Sequence, residues 1–227
     1  MSYARYAIFY LPPEGALADF GAAWLGWDVA RGKPAAQPDL PGLAAITAMP
    51  RRYGFHGTLK PPFRLAEGRD AEGLGHAVAA LAASCAPARA HGLHLTRLGR
   101  FLALTPLGDA SGIGRVAAAC VTGLDGFRAR PDAAELERRR KPGLSPRQET
   151  MLARWGYPFV LEEFRFHLTL TARLPGPDIE RWQDRLAARL PPLPAPFVLD
   201  EVALVGERAD SRFELIRRHP LAGRDAA

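Results

Sequence analysis

Two five-residue stretches, FHGTL at 55–59 and FHLTL at 166–170, share four letters around one variable position, and they constrain this chain's architecture more than any other feature. Side chains alternate faces along a strand, so a His and a Thr two apart point the same way. In the second copy Arg165, His167, Thr169, Thr171 and Arg173 share one face, and Phe164, Phe166, Leu168, Leu170 and Ala172 share the other. In the first, His56, Thr58 and Lys60 lie with Gly54 on one face, and Phe55 and Leu59 lie with Gly57 on the other. Each copy is therefore a strand with an apolar back and a polar front. The variable residue between His and Thr belongs to the back.

The rest of the chain reads as short elements joined by turns. YARYAIFYL (3–11) is a strand stopped by Pro12 and Pro13, and 16–27 has helical spacing. A Pro- and Gly-rich loop runs to about Pro50, and the first motif strand is expected to close at Pro61 and Pro62. Residues 70–85 form an amphipathic helix, 92–107 two strands joined near Gly99, and 112–128 a second helix. The stretch 132–155 is helical and charged, interrupted at 142–146, where Ser145 is placed to cap a helix with Pro146 at its first position. A strand at 164–173, a helix at 177–190, a strand at 197–206 and a short final strand complete the pattern. The class is α+β, and 227 residues suffice for a single bilobal domain. The expected division is a first motif lobe at 40–110 and a second at 160–220, with the N-terminal strand and the segment 112–157 packing around them.

Composition narrows the function classes. The chain is 48% hydrophobic and 24% charged, as a globular protein is. A net charge of +6 favours anionic partners without separating nucleic acid from a phosphorylated metabolite. Two cysteines, Cys85 and Cys120, can build neither a disulfide framework nor a zinc site. The start, MSYARYAIFYLPPEG, has too short an apolar run for a signal peptide, and no stretch approaches 18 apolar residues. A cytoplasmic protein without membrane contact is expected, and the sequence is silent on protein partners.

Two polar fronts carrying an imidazole, a hydroxyl and a cation suit a phosphate. In-line displacement at phosphorus needs a base for the incoming nucleophile and an acid for the leaving oxygen on opposite sides. Histidine titrates near neutral pH, so two of them can hold opposite protonation states, while hydroxyl donors stabilise charge on the non-bridging oxygens. A third His-x-Thr, His94 and Thr96, lacks the flanking Phe and Leu and reads as structural.

The paired H-x-T-L strands, 111 residues apart (167 − 56), resemble the 2H phosphoesterase superfamily, which includes cyclic nucleotide phosphodiesterases and the RNA 2′,3′-cyclic phosphodiesterase/2′–5′ ligase group. YGFHGTLKPPF, RWGYPFVLEEFRFHLTLTAR and GERADSRFELIRRHPL resemble one branch of it, linked to phosphonate metabolism. The resemblance implies a bilobal, pseudo-symmetric α+β fold of antiparallel-rich sheet with helices outside and a central cleft. It also implies His56 and His167 as the acid/base pair, Thr58 and Thr169 as phosphate-oxygen ligands, and no metal or other cofactor.

Specificity needs further grips. Lys60, Arg165, Thr171 and Arg173 share faces with the motif residues and are candidates to bind substrate. Tyr53 precedes the first motif with opposite parity, which favours packing unless a turn at Gly54 changes it. The run ERRRKPGLSPR, with Arg139, Arg140, Lys141 and Arg147, is either a solvated helix face or a border of the cleft. Trp155 and Tyr157 are read as core residues with stacking as the alternative. The expected activity is hydrolysis of a cyclic phosphate ester of a small phosphorylated ribose. The alternatives are an RNA 2′,3′-cyclic phosphodiesterase or ligase-like enzyme, and a non-catalytic phosphometabolite-binding protein.

Overall fold

The computed structural model describes residues 3–140 and 143–224. Its elements are β1 (Tyr6–Tyr10), α1 (Ala16–Leu25), β2 (Trp27–Asp28), β3 (Lys33–Pro34), α2 (Leu43–Arg51), β4 (Gly57–Phe63), α3 (Ala71–Ser84), β5 (Ala88–Ala90), β6 (Gly92–Leu98), β7 (Phe101–Leu107) and α4 (Ser111–Gly123). They continue with α5 (Ala133–Arg140), α6 (Pro146–Trp155), β8 (Leu168–Thr169), α7 (Gly176–Ala187), β9 (Phe197–Leu199), β10 (Glu201–Glu207) and β11 (Phe213–Pro220). This is an α+β chain, as the alternation of periods in the sequence indicates.

Seven strands form one antiparallel sheet in the order β11-β10-β1-β4-β8-β7-β6. The two motif strands, β4 and β8, are neighbours at its centre. Strands β6 and β7 follow the first motif in the chain but lie beside the second, and β10 reaches the first through β1. The two halves of the sheet are thus interleaved along the sequence rather than consecutive.

The backs of the strands meet one large core. Leu59 and Leu168 join Ile8, Leu104 and Leu204 there, against Trp24, Leu43, Val78, Val116 and Trp182 from α1, α2, α3, α4 and α7. On the opposite face Ala7, Phe9, Ala203 and Phe213 are covered by Trp27 and Val29. That second layer closes only the β1, β10 and β11 end of the front.

Three elements depart from the sequence expectation. Helix α2 occupies what reads as loop, because Leu43, Thr47 and Pro50 recur at helical spacing and are buried. Strand β4 runs through Pro61 and Pro62 instead of closing at them. Proline lacks an N–H but is tolerated at bulges and on unpaired edges, and β4 has both here: register shifts against β1, and pairing with β8 at Gly57 alone. The second motif forms only the two-residue β8 instead of a strand over 164–173, since the proline half of β4 offers it no donors below and Leu170 and Thr171 both turn their N–H to the Leu102 carbonyl above.

At the seam, Gly57 pairs with Leu168, so the variable residues of the two motifs face each other across β4 and β8. A Cβ built on Gly57 would lie 2.5 Å from the Phe166 ring, so only glycine admits this approach. Gly57→Val is expected to lower stability by roughly 1–3 kcal/mol through forced repacking, measured by denaturant unfolding; a change below about 0.5 kcal/mol would contradict tight packing at the seam.

Candidate functional site

The seam register assembles the two motifs. With Gly57 opposite Leu168 in an antiparallel pair, His56 comes opposite Thr169 and Thr58 opposite His167, all four on the front. The two histidines are then diagonal neighbours, roughly 7–8 Å apart along the pleat. The front is one continuous surface made by adjacent strands.

Each imidazole is held by the same local device. His56 Nδ1 lies 2.9 Å from the Gly54 carbonyl and His167 Nδ1 lies 2.7 Å from the Arg165 carbonyl, in both cases two residues back. A carbonyl only accepts, so Nδ1 carries the proton and donates, which leaves Nε2 as the atom that exchanges protons. Gly54 adopts φ 72°, and a Cβ there would meet Val29 at 2.6 Å, so glycine is needed to aim that carbonyl. His56 Nε2 is 3.0 Å from Thr58 Oγ1, whose hydroxyl donates to it when the ring is neutral.

The two rings differ in surroundings. His56 stacks on Phe9, centroids 3.8 Å apart at 29°, with Tyr53 stacked at 5.9 Å. The residue is half-buried, and this crowding by protein removes hydration from the cation. Burial therefore pushes its pKa down to about 4, opposed by the Gly54 carbonyl and assisted by the nearby His167. His167 instead has a tilted contact with Phe101, 5.7 Å between centroids.

Beside the seam lies a cavity of about 530 Å³ that includes Thr58, His167 and Arg165 in its lining. It opens where β4 passes Pro61 and pairing with β8 has stopped. Four aromatic side chains, Phe101, Tyr157, Phe159 and Phe164, line it beside Leu59, Leu98 and Val160, and Phe159 is 47% exposed. Two polar groups meet opposite: Gln148 Nε2 donates to Glu163 Oε2 at 3.0 Å. Gln148 is fixed by the expected cap on α6, where Ser145 Oγ accepts from the Gln148 N–H and the Gln148 side chain returns a bond to the Ser145 N–H.

Several of the candidate substrate grips lie elsewhere. Lys60 is 2% exposed and points into the core, its Nζ donating to the Val121 carbonyl at 2.9 Å, with Asp125 at 3.9 Å. The cause is the bulge: Phe9 pairs with Thr58 but Ile8 with Lys60, so the extra residue puts Lys60 on the back with Leu59. Burial lowers its pKa to about 8 despite Asp125. Thr171 is buried, its hydroxyl oxygen accepting from the Leu102 N–H at 3.0 Å. Arg173 and Arg147 are outside the cavity lining. Tyr53 sits against His56 and Phe213 rather than opposite His56, because the Gly54 turn resets the parity. Arg165 remains at the cavity.

The basic run is balanced locally. Arg139 pairs with Glu135 at 2.6 Å and lies over the Tyr157 ring, and Arg140 pairs with Glu149 at 3.1 Å; Lys141 lies outside the described residues. The cavity aromatics Phe101, Phe159 and Phe164 escaped the sequence reading, as did Gln148 and Glu163. The one available signal was the density of large aromatics in GYPFVLEEF between two polar elements. Among the described residues no group of three His, Cys, Asp or Glu side chains is placed to hold a metal, and no helix is long and apolar enough to cross a membrane.

The lowered pKa of His56 has a thermodynamic consequence. Unfolded, the imidazole titrates near 6.5; folded, near 4, so between these values the unfolded chain binds more protons. Stability present above pH 6.5 is therefore lost as pH falls toward 4, by roughly 1–3 kcal/mol from this group. Denaturant unfolding of wild type and His56→Gln across pH 4–7 is expected to show the variant losing less; equal losses would contradict a neutral, crowded His56.

Residues 58–214 match the model of a family described as "Protein of unknown function (DUF1045)". Two curated relatives are both called "Ribose 1,5-bisphosphate phosphokinase PhnN". The protein from Janthinobacterium sp. (strain Marseille) is 42% identical over 188 residues, 79% of this chain and 41% of that protein. The one from Laribacter hongkongensis (strain HLHK9) is 37% identical over 191 residues, 81% of this chain and 44% of that protein. The chain thus spans about two-fifths of the length of the curated relatives it matches. Among solved structures, TT0787 of Thermus thermophilus superposes with a TM-score of 0.45 at 19% identity, covering 97% of this chain and 99% of its own. A structure described as a phosphoesterase superposes with a TM-score of 0.44 at 16% identity over the same shares. The family match takes in Thr58, the cavity and the whole second motif, and the chain belongs to the DUF1045 family.

Proposed function

We propose that this protein is a phosphodiesterase that opens a cyclic phosphate ester by paired-histidine acid/base catalysis. The observation that carries the reading is the seam register, which gives each histidine a threonine from the other strand and puts both imidazoles on one front, each held at Nδ1 by a backbone carbonyl.

In this reading the phosphate lies over the seam with Thr58 and Thr169 donating to its non-bridging oxygens. Thr58 leaves His56 Nε2 to do so, and freed Nε2 takes a proton from water as the water oxygen bonds to phosphorus. The opposite phosphorus–oxygen ester bond breaks, and its electron pair goes to the leaving oxygen, which receives the proton from His167 Nε2. The product is a phosphate monoester. His56 ends protonated and His167 neutral, and exchange with solvent resets both. Giving His56 the base role follows from its burial, which keeps it neutral at pH 7. Both proton transfers run through imidazoles, so the reaction calls on no metal.

A small ribose cyclic phosphate is the substrate we favour. The branch resemblance supports it, and both curated relatives carry names that concern a ribose bisphosphate. A kinase role for this chain lacks a sequence basis, since the Gly-rich P-loop that cradles nucleotide phosphates is missing from it. The second reading, cleavage of RNA 2′,3′-cyclic ends, is favoured by the aromatic cavity beside Thr58 and His167, where a base has rings to stack on.

Purified protein incubated with ribose cyclic phosphates is expected to convert the cyclic phosphorus resonance to a monoester resonance, undiminished by a chelator. His56→Ala and His167→Ala should each lower kcat by about 10²–10⁴-fold with the fold retained. In the pH profile of kcat/KM the acid limb should fall near pH 4. No turnover of ribose compounds with rapid, salt-sensitive cleavage of RNA cyclic ends would replace the first reading by the second. Turnover abolished by chelation would sink the metal-free mechanism.

A further inference from the structure

The third His-x-Thr has no part in the chemistry above, yet the sheet places it on the same front. Strand β6 pairs Thr96 with Ala103 and His94 with Thr105, and β7 carries the register on to β8 through Ala103 and Thr169. Cross-strand partners share a face, so Thr96, Ala103 and Thr169 form one row and His94 and Thr105 lie in the next, the row toward His167. Two strand spacings, roughly 10 Å, separate the His94 and His167 strands.

The groups there are arranged to receive an oxyanion. Thr96 Oγ1 and Thr105 Oγ1 are 2.6 Å apart, so one hydroxyl donates to the other and the second keeps its hydrogen for a ligand. His94 Nδ1 donates to the Thr105 carbonyl at 3.1 Å, which leaves its Nε2 as the outward atom, the same tautomer that the two motif histidines hold. All three side chains are half-buried, backed by the sheet and still reachable. Arg165 has the parity of His167, is exposed, and lines the cavity next to it. The neighbouring position on β7 is Ala103, a buried methyl between Thr96 and Thr169.

We propose that His94, Thr96 and Thr105, assisted by Arg165, bind a second phosphate of the substrate: a phosphomonoester at the far end of a pentose whose cyclic phosphate lies over the seam. This rests on the phosphodiesterase reading for the identity of the first phosphate. It also answers the loss of Lys60 as a grip, since Lys60 points into the core.

The test is binding of ribose 5-phosphate, which needs no turnover, followed by calorimetry and by the histidine ring resonances. Wild type should bind it, and His94→Ala and the near-isosteric Thr96→Val should each weaken binding about tenfold or more. With cyclic substrates, the rise in KM should be about tenfold larger when a 5-phosphate is present than when it is absent, with kcat changed less than KM. Binding of ribose 5-phosphate that both folded variants leave within about twofold of wild type, or no binding by wild type, overturns the subsite. Weakened binding in variants of a protein that hydrolyses no cyclic ester would keep the subsite and discard the phosphodiesterase reading, so the two claims fail separately.

Discussion

One backbone pairing, Gly57 with Leu168, organises this molecule. It is the contact that joins the β1–β4 half of the sheet to the β6–β8 half, and it holds the two motifs in mutual register. The side chains at the pair point to the core, where Leu168 is buried and Gly57 yields to the Phe166 ring. Because residues on either side of a strand pair alternate, fixing the backs of the motifs fixes their fronts. A slip of one residue between them would turn one of the two strands over, sending its histidine into the apolar core and its leucines to the surface.

The pairing is also short, and its shortness makes the site. Below Gly57, β4 reaches Pro61 and Pro62, which offer no N–H to a neighbour. The chain before the second motif, with Tyr157, Phe159 and Phe164, drops away there and the cavity opens between. A longer zip between β4 and β8 would have closed it. The same stretch of β4 carries the bulges that turn Lys60 inward, so the residues that create the cavity also remove a cation from it.

Much of the fold was legible because it depends on local chemistry. Alternation marked both motif strands and placed Gly57 and Leu168 on the back; Gly99 marked the β6–β7 hairpin; Ser145 and Pro146 marked the start of α6. What escaped depends on partners far along the chain. Nothing in TLKPPF announces an extra residue opposite β1, so Lys60 was expected on the polar face that a regular strand would give it. Helix α2 was hidden by Pro41, Gly42 and Pro50, which read as loop punctuation although the first two precede it and the last sits in its final turn. The cavity aromatics lie in a segment without strand or helix period, so only the packed chain shows where they gather. For the candidate site the identity of the four motif residues was legible, and their arrangement on adjacent strands, Thr opposite His, was not.

The most direct test of the central claim is a titration of inorganic phosphate followed through the long-range proton–nitrogen spectrum of the histidine rings. The account predicts that His56 and His167 both start with the proton on Nδ1 when neutral, and that their Nε2 resonances shift together with a single affinity and one phosphate per chain. Phosphate that shifts only one of them, or shifts them with separate affinities, would contradict a single phosphate site shared across the seam.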